Sequence, residues 1–177
     1  MPSFQDFYFQ SSTGRTSIHA LKCVPDGKPR AVVQIAHGIA EHIDRYRPFM
    51  EFLADNGFVA AGNDHLGHGK SIRVPEEQGF FAEKDGWWRV VDDMDKLHDI
   101  MSNEYPEFPY VLFGHSMGSF LTRTYLIKHP DKYDGVILSG TGHQSPALVL
   151  GGNAAASVMA KLNGAMGDGT KLDSLAF

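Results

Sequence analysis

Val111-Leu112-Phe113-Gly114-His115-Ser116-Met117-Gly118-Ser119-Phe120 is the stretch on which the reading of this 177-residue chain turns. An apolar run stops at Gly114, and a helical pattern marked by Leu121, Tyr125 and Leu126 starts directly after Gly118. The segment from Gly114 to Gly118 fits G-x-S-x-G, the strand-to-helix turn called the nucleophile elbow. The turn is sharp, and a Cβ beside the serine on either side would run into a neighbouring strand or helix. It lifts the Ser116 hydroxyl clear of a sheet and sets it at a helix N-terminus. There the Met117 amide and the helix dipole face negative charge developing on a bound carbonyl oxygen. The same residues also suit a glycine-rich turn around a buried serine, so the flanking chain has to decide.

Upstream, residues 6–10 and 16–24 read as two strands joined by the turn at Ser11-Ser12-Thr13-Gly14. The run at 31–36 is a buried strand that stops at His37-Gly38. Residues 45–56 carry Phe49, Met50, Phe52 and Leu53 at helical spacing and close on Asn56-Gly57. A strand at 58–62 runs into Asn63-Asp64 and a loop rich in glycine and histidine. Trp87, Val91, Met94, Leu97 and Met101 recur at steps of three and four, predicting a helix over 86–103, which Pro106 and Pro109 terminate. The central strand spans 110–114, a helix follows Ser116 as far as Lys128, and one more strand lies at 133–139. A hairpin followed by alternating strands and helices predicts an α/β fold: a mostly parallel sheet with an N-terminal antiparallel hairpin and helices on both faces. His37-Gly38, Asp64-His65, Ser116 and Gly140-Thr141 all fall at strand ends, where such sheets place their chemistry.

Composition removes several alternatives. A net charge of -5 offers no electrostatic footprint for nucleic acid, and no cluster of lysine and arginine suits an anionic membrane. The single cysteine, Cys23, rules out an internal disulfide and points to a reducing compartment. The first twenty residues lack the pattern of a signal peptide, and no stretch approaches the ~20 apolar residues of a membrane span. A cytoplasmic location is expected. No cofactor or metal is called for.

Three motifs occur in order: His37-Gly38-Ile39-Ala40-Glu41-His42, then Asp64-His65-Leu66-Gly67-His68-Gly69-Lys70-Ser71, then Gly114-His115-Ser116-Met117-Gly118. On these residues the chain resembles the α/β-hydrolase superfamily, and within it the monoglyceride lipase and lysophospholipase-like serine hydrolases of the serine aminopeptidase S33 type. The resemblance spans roughly residues 6–143. It implies the α/β-hydrolase fold, with Ser116 as nucleophile and the Ile39 and Met117 amides as oxyanion hole. It also implies Gly38, His115 and His143 as substrate-binding positions. The hole then joins the amide after the nucleophile to one from the loop after the third strand. The implied activity is hydrolysis of carboxylic esters, with monoacylglycerol or lysophospholipid as the substrate class and an acyl-enzyme on Ser116. Other chemistry on the same scaffold (peptidase, thioesterase, acyltransferase) remains open, as does a non-catalytic binding protein.

The triad order Ser, then Asp or Glu, then His finds no partners downstream. After Ser116 the acids are Asp131, Asp134, Asp168 and Asp173, and the histidines are His129 and His143. Asp131 and Asp134 precede a strand, at the wrong end of the sheet, and His129 reads as a helix C-cap. Only His143 sits at the active edge, just beyond the last strand. The triad Asp and His are therefore not found in this chain, which reads as a hydrolase truncated in its cap region: residues 1–143 as the N-terminal part of the core, 144–177 as the start of a helical lid, and the C-terminal core strands absent. A hydroxyl without a base is a poor nucleophile, so the chain itself is expected to be inactive or impaired. Its last strand is an exposed edge that invites self-association.

Other polar residues receive plainer readings. His37 and His42, or His65 and His68 with Asp64, are possible metal ligands, but loop histidines bonded to backbone explain them more simply. Asp64 anchors its own loop through amides. Glu41, His42 and Arg45 form a brace beneath the oxyanion loop. Trp87 and Trp88 pack at the flank of the sheet, and Asp92, Asp93 and Asp95 form a solvated helix face.

Overall fold

The structure is a computed structural model in which residues 1–164 are described. Asp168, Asp173 and the closing part of the 145–177 stretch lie outside the described residues. Six strands form one sheet: β1 (Ser3–Gln10), β2 (Ser17–Val24), β3 (Ala31–Ala36), β4 (Phe58–Asn63), β5 (Tyr110–His115) and β6 (Gly135–Ser139). Their spatial order is β1-β2-β4-β3-β5-β6. β1 and β2 form the expected antiparallel hairpin, β2 pairs antiparallel with β4, and the remaining neighbours are parallel. The mostly parallel sheet with its antiparallel hairpin is the one expected from the order of elements, and it agrees with the α/β-hydrolase fold that the resemblance implies.

Helices α1 (Arg47–Asp55), α2 (Gly86–Glu104) and α3 (Met117–Lys128) cover the two faces. The strands alternate their buried side chains accordingly. Leu21, Cys23, Ile35 and Ala60 pack against Ile43, Met50 and Ala54 on the α1 face. On the other face Val32, Ala61, Tyr110 and Leu112 meet Leu97 and Met101 of α2 and Leu121 and Tyr125 of α3. A polar strand residue sits within that second face. Gln34 is 1% exposed, donates to the Met94 carbonyl, and accepts from the Tyr110 and Tyr133 hydroxyls, so its burial leaves nothing unpaired.

Register levels the strand ends. Ile35 pairs with Gly62, Ala36 with Gly114 and His115 with Ser139, so the loops after β3, β4, β5 and β6 emerge along one edge. β6 is an edge strand, as is β1 at the other side of the sheet, and Val136, Ile137 and Leu138 are exposed along it.

Two readings of α2 need correction. Asp93 is 1% exposed rather than solvated. It accepts from the Ser11 hydroxyl at 2.8 Å and the Ser12 amide at 2.5 Å, clamping the tip of the β1–β2 hairpin onto the helix. Asp95 likewise is committed, accepting from Tyr125 and Lys132. Trp87 packs against the core and donates to Thr124, but Trp88 is 44% exposed and does not join it.

A second unit begins at Gly142. Its described part is α4 (Pro146–Asn163), opened by a Ser145 N-cap that accepts from the Leu148 amide. Leu148, Leu150, Val158 and Leu162 are exposed along it.

Candidate active site

Ser116 has φ +51° and ψ −120°, and α3 begins at the next residue. A serine with positive φ is held against its preference by its surroundings. The holding is visible at Gly118. A Cβ there would lie 2.5 Å from the Ala36 carbonyl carbon and 2.7 Å from the His37 oxygen, so the first turn of α3 is pressed onto the end of β3. Only glycine permits that approach. The approach brings the loop after β3 to the serine: a Cβ on Gly38 would sit 3.1 Å from the Ser116 Cβ. Among the described residues no side chain hydrogen-bonds the Ser116 hydroxyl.

The loop from His37 to Glu41 is held by side chains and backbone at several of its polar atoms. The Glu41 carboxylate accepts from the Gly38 amide and from the Tyr46 hydroxyl, with Arg45 3.7 Å away. Burial pushes the Glu41 carboxyl up, but the two donors outweigh it and hold the group below its ordinary value. The Ile39 carbonyl accepts from the Glu41 amide and lies 2.9 Å from His68 Nε2. The expected brace therefore exists with one exchange: His42 is exposed, and Tyr46 fills the place it was given.

His37 is fully buried, with Nδ1 2.7 Å from the Gly38 carbonyl and Nε2 3.0 Å from the His65 amide. An amide can only donate, so Nε2 is the acceptor and the ring proton sits on Nδ1. Burial lowers the His37 pKa to about 4, which keeps the ring neutral. His65 packs on it with ring centroids 4.1 Å apart, and burial holds its pKa well below the ordinary value too.

The metal reading loses most of its donors, although both buried ring nitrogens of His65 lack a partner. Both His37 nitrogens are committed to backbone groups, and His68 faces the carbonyls of Leu66 and Ile39. Asp64, as expected, binds its own loop, accepting from the Lys70 amide, and it also accepts from the Ile43 amide. Its further partner was invisible in sequence: His19, buried between Asp64 at 2.8 Å and Asp6 at 2.7 Å. Among the described residues one other cluster, Asp95, His98 and Asp99, gathers ligand types, but the Lys132 ammonium already bridges its two carboxylates.

His115 lies 3.3 Å from the Ser139 hydroxyl and lines a cleft of about 380 Å³ with Glu41, Arg45, Tyr46, Phe49 and Phe113. Asp134 accepts from the Tyr110 amide at the start of β5, the opposite edge from Ser116, and His129 is the C-cap of α3. His143 belongs to the second unit. The structure thus brings together Ser116, Met117, Gly38, Ile39 and His115 at one edge. Among the described residues, Asp134 and His129 do not join them.

The family model described as Serine aminopeptidase, S33 matches residues 27–173, most of the chain. A monoacylglycerol lipase of Mycolicibacterium smegmatis is 35% identical over 143 residues, covering 78% of this chain and 48% of that protein. Human monoglyceride lipase is 30% identical over 114 residues, 64% of this chain and 36% of its own length. A solved carboxyl esterase from Bacillus coagulans, in complex with glycerol, superposes with a TM-score of 0.85 at 33% identity, over 97% of this chain and 55% of the esterase. The chain therefore spans about half the length, or less, of the relatives it matches.

Proposed function

The chain belongs to the Serine aminopeptidase, S33 family of α/β-hydrolases, and on that premise we propose that it carries the nucleophile half of a carboxylic-ester hydrolase. Ser116 attacks the ester carbonyl and is acylated, while the Ile39 and Met117 amides receive the oxyanion. Monoacylglycerol and lysophospholipid-type lipids are the proposed substrates, and the similarity to the two monoglyceride-hydrolysing lipases supports that choice. The observation that carries the reading is Ser116 at φ +51° with Gly38 packed directly against it. A binding protein has no use for a strained serine beside a braced amide loop.

Gly38, His115 and His143 are proposed to contact substrate, and the second unit to act as a lid over the acyl chain. No helix among the described residues is long and apolar enough to cross a membrane. A cytoplasmic location, peripheral contact with lipid and pairing of two copies along β6 belong to the same proposal. The base and its orienting acid lie outside the groups that reach Ser116 among the described residues, so this chain alone reacts slowly.

Exogenous imidazole supplies the missing base, which makes the proposal testable. The chain and its Ser116→Ala variant are exposed to a fluorophosphonate with and without imidazole and read by intact mass. We expect slow addition at Ser116, accelerated by imidazole and absent from the variant. A folded sample that gains no adduct in imidazole overturns the reading.

A further inference from the structure

We propose that His37 is a positioning residue whose Nδ1–H, by holding the Gly38 carbonyl, aims the Ile39 N–H at the reaction site beside Ser116. The inference rests on the hydrolase reading for its consequence but not for its geometry. A trans peptide unit is planar, with C=O and N–H pointing in opposite directions. The Gly38 carbonyl and the Ile39 N–H belong to one such unit, and among the described residues no peptide is cis. Fixing the oxygen on one side of the loop therefore fixes the hydrogen on the other.

His37 can do this because it is itself immobile. Its Nε2 accepts from the His65 backbone, its ring packs against His65, and it has no exposed surface. The polar groups on either side of that peptide are spoken for. Glu41 accepts the Gly38 amide, and the Ile39 carbonyl faces the Glu41 amide and His68. Among the described residues the Ile39 N–H is the one backbone donor of residues 38 and 39 without a protein acceptor. Gly38 packs against the strained serine and the N–H of the next residue is left open, an arrangement preorganised for an anion. His37 touches no substrate; it acts through the peptide.

The test uses the ¹⁵N-labelled chain with His37→Phe, which keeps a ring and loses both nitrogens, and His37→Gln, which keeps a donor. The residual dipolar coupling of the Ile39 N–H reports the direction of that bond, and couplings of β3 and β5 amides in the same spectrum report the fold. Imidazole-assisted fluorophosphonate labelling is measured alongside. We expect the Ile39 coupling to change in His37→Phe while the strand couplings hold. Labelling should slow by roughly 10²-fold, the size of losing one oxyanion donor, at unchanged reagent half-saturation. His37→Gln should lie between, and it decides the matter if His37→Phe fails to fold. An unchanged Ile39 coupling in the folded variants overturns the proposal. A changed coupling in a protein whose wild-type Ser116 never labels leaves the positioning role intact and sinks the hydrolase reading instead.

Discussion

Replacing Gly118 with alanine asks whether the elbow depends on backbone contact. In an open helical position the exchange stabilises by about 1 kcal/mol, because alanine loses less conformational freedom than glycine. At Gly118 the new Cβ would lie 2.5 Å from the Ala36 carbonyl carbon and 2.7 Å from the His37 oxygen, where ordinary contact begins at 3.4 Å. Both opposing atoms are backbone of a strand end inside a six-stranded sheet, so no side chain can swing away. The Ala36 carbonyl oxygen is nearer still, so the first turn of α3 must retreat by about 1 Å or more. Overpacking of this kind costs about 3 kcal/mol, the upper part of its usual range, leaving a net loss of about 2 kcal/mol after the helix gain. For a chain of this size that is a fall in Tm of roughly 4–8 °C, read by circular dichroism. The same retreat carries Met117 and Ser116 with it, and a misplacement near 1 Å costs on the order of 10²-fold in reactivity. Gly152→Ala, in α4 with nothing within 4 Å of its Cβ, is the control and should stabilise its helix. A Gly118→Ala variant that melts at or above the wild-type temperature would refute the argument, because the sign of the change separates clash from propensity.

Asp64→Ala strips the acceptor from the Ile43 and Lys70 amides and from His19, all of which stay buried or half-buried. We expect a loss of about 3–5 kcal/mol, seen as a lower urea midpoint at unchanged slope, and a near-neutral result would contradict the anchoring role. Asp93→Ala frees the hairpin tip at Ser11 and Ser12, with an expected cost of about 1–3 kcal/mol and faster amide exchange at those residues. Acid should destabilise the fold through His37 and His65. Burial depresses both below the unfolded value near 6.5, so the unfolded chain binds more protons between that value and about 4 for His37. Their contribution is complete above pH 6.5 and is lost as pH falls toward 4. Equal urea midpoints at pH 7.5 and 4.5 would exclude it, and His65→Phe should shrink the difference.

Local chemistry and periodicity were legible without coordinates. The apolar run into Gly114, the helical spacing after Gly118 and the glycine-bounded serine predict a strand, a helix and the turn between them because those preferences act within a few residues. Alternation of strands and helices carries the layers. What lies opposite what is a different matter. The order β1-β2-β4-β3-β5-β6 follows from how each crossover packs on the sheet, and it alone brings the His65 amide to His37 and the hairpin turn to Asp93. On a helical wheel Asp93 stands beside Val90 and Leu97, at the margin of the apolar stripe, while Asp92 points away from it, but nothing in the helix marks Ser11 and Ser12 as its partners. His19 gave no signal at all, since its carboxylate partners lie 13 and 45 residues away along the chain. The sequence by itself determined that a serine stands on an elbow beside a His-Gly loop. Only the tertiary structure decided which nitrogen of His37 holds the proton and where the Gly38–Ile39 peptide points, because hydrogen-bond direction is set by partners that meet only when the sheet is assembled.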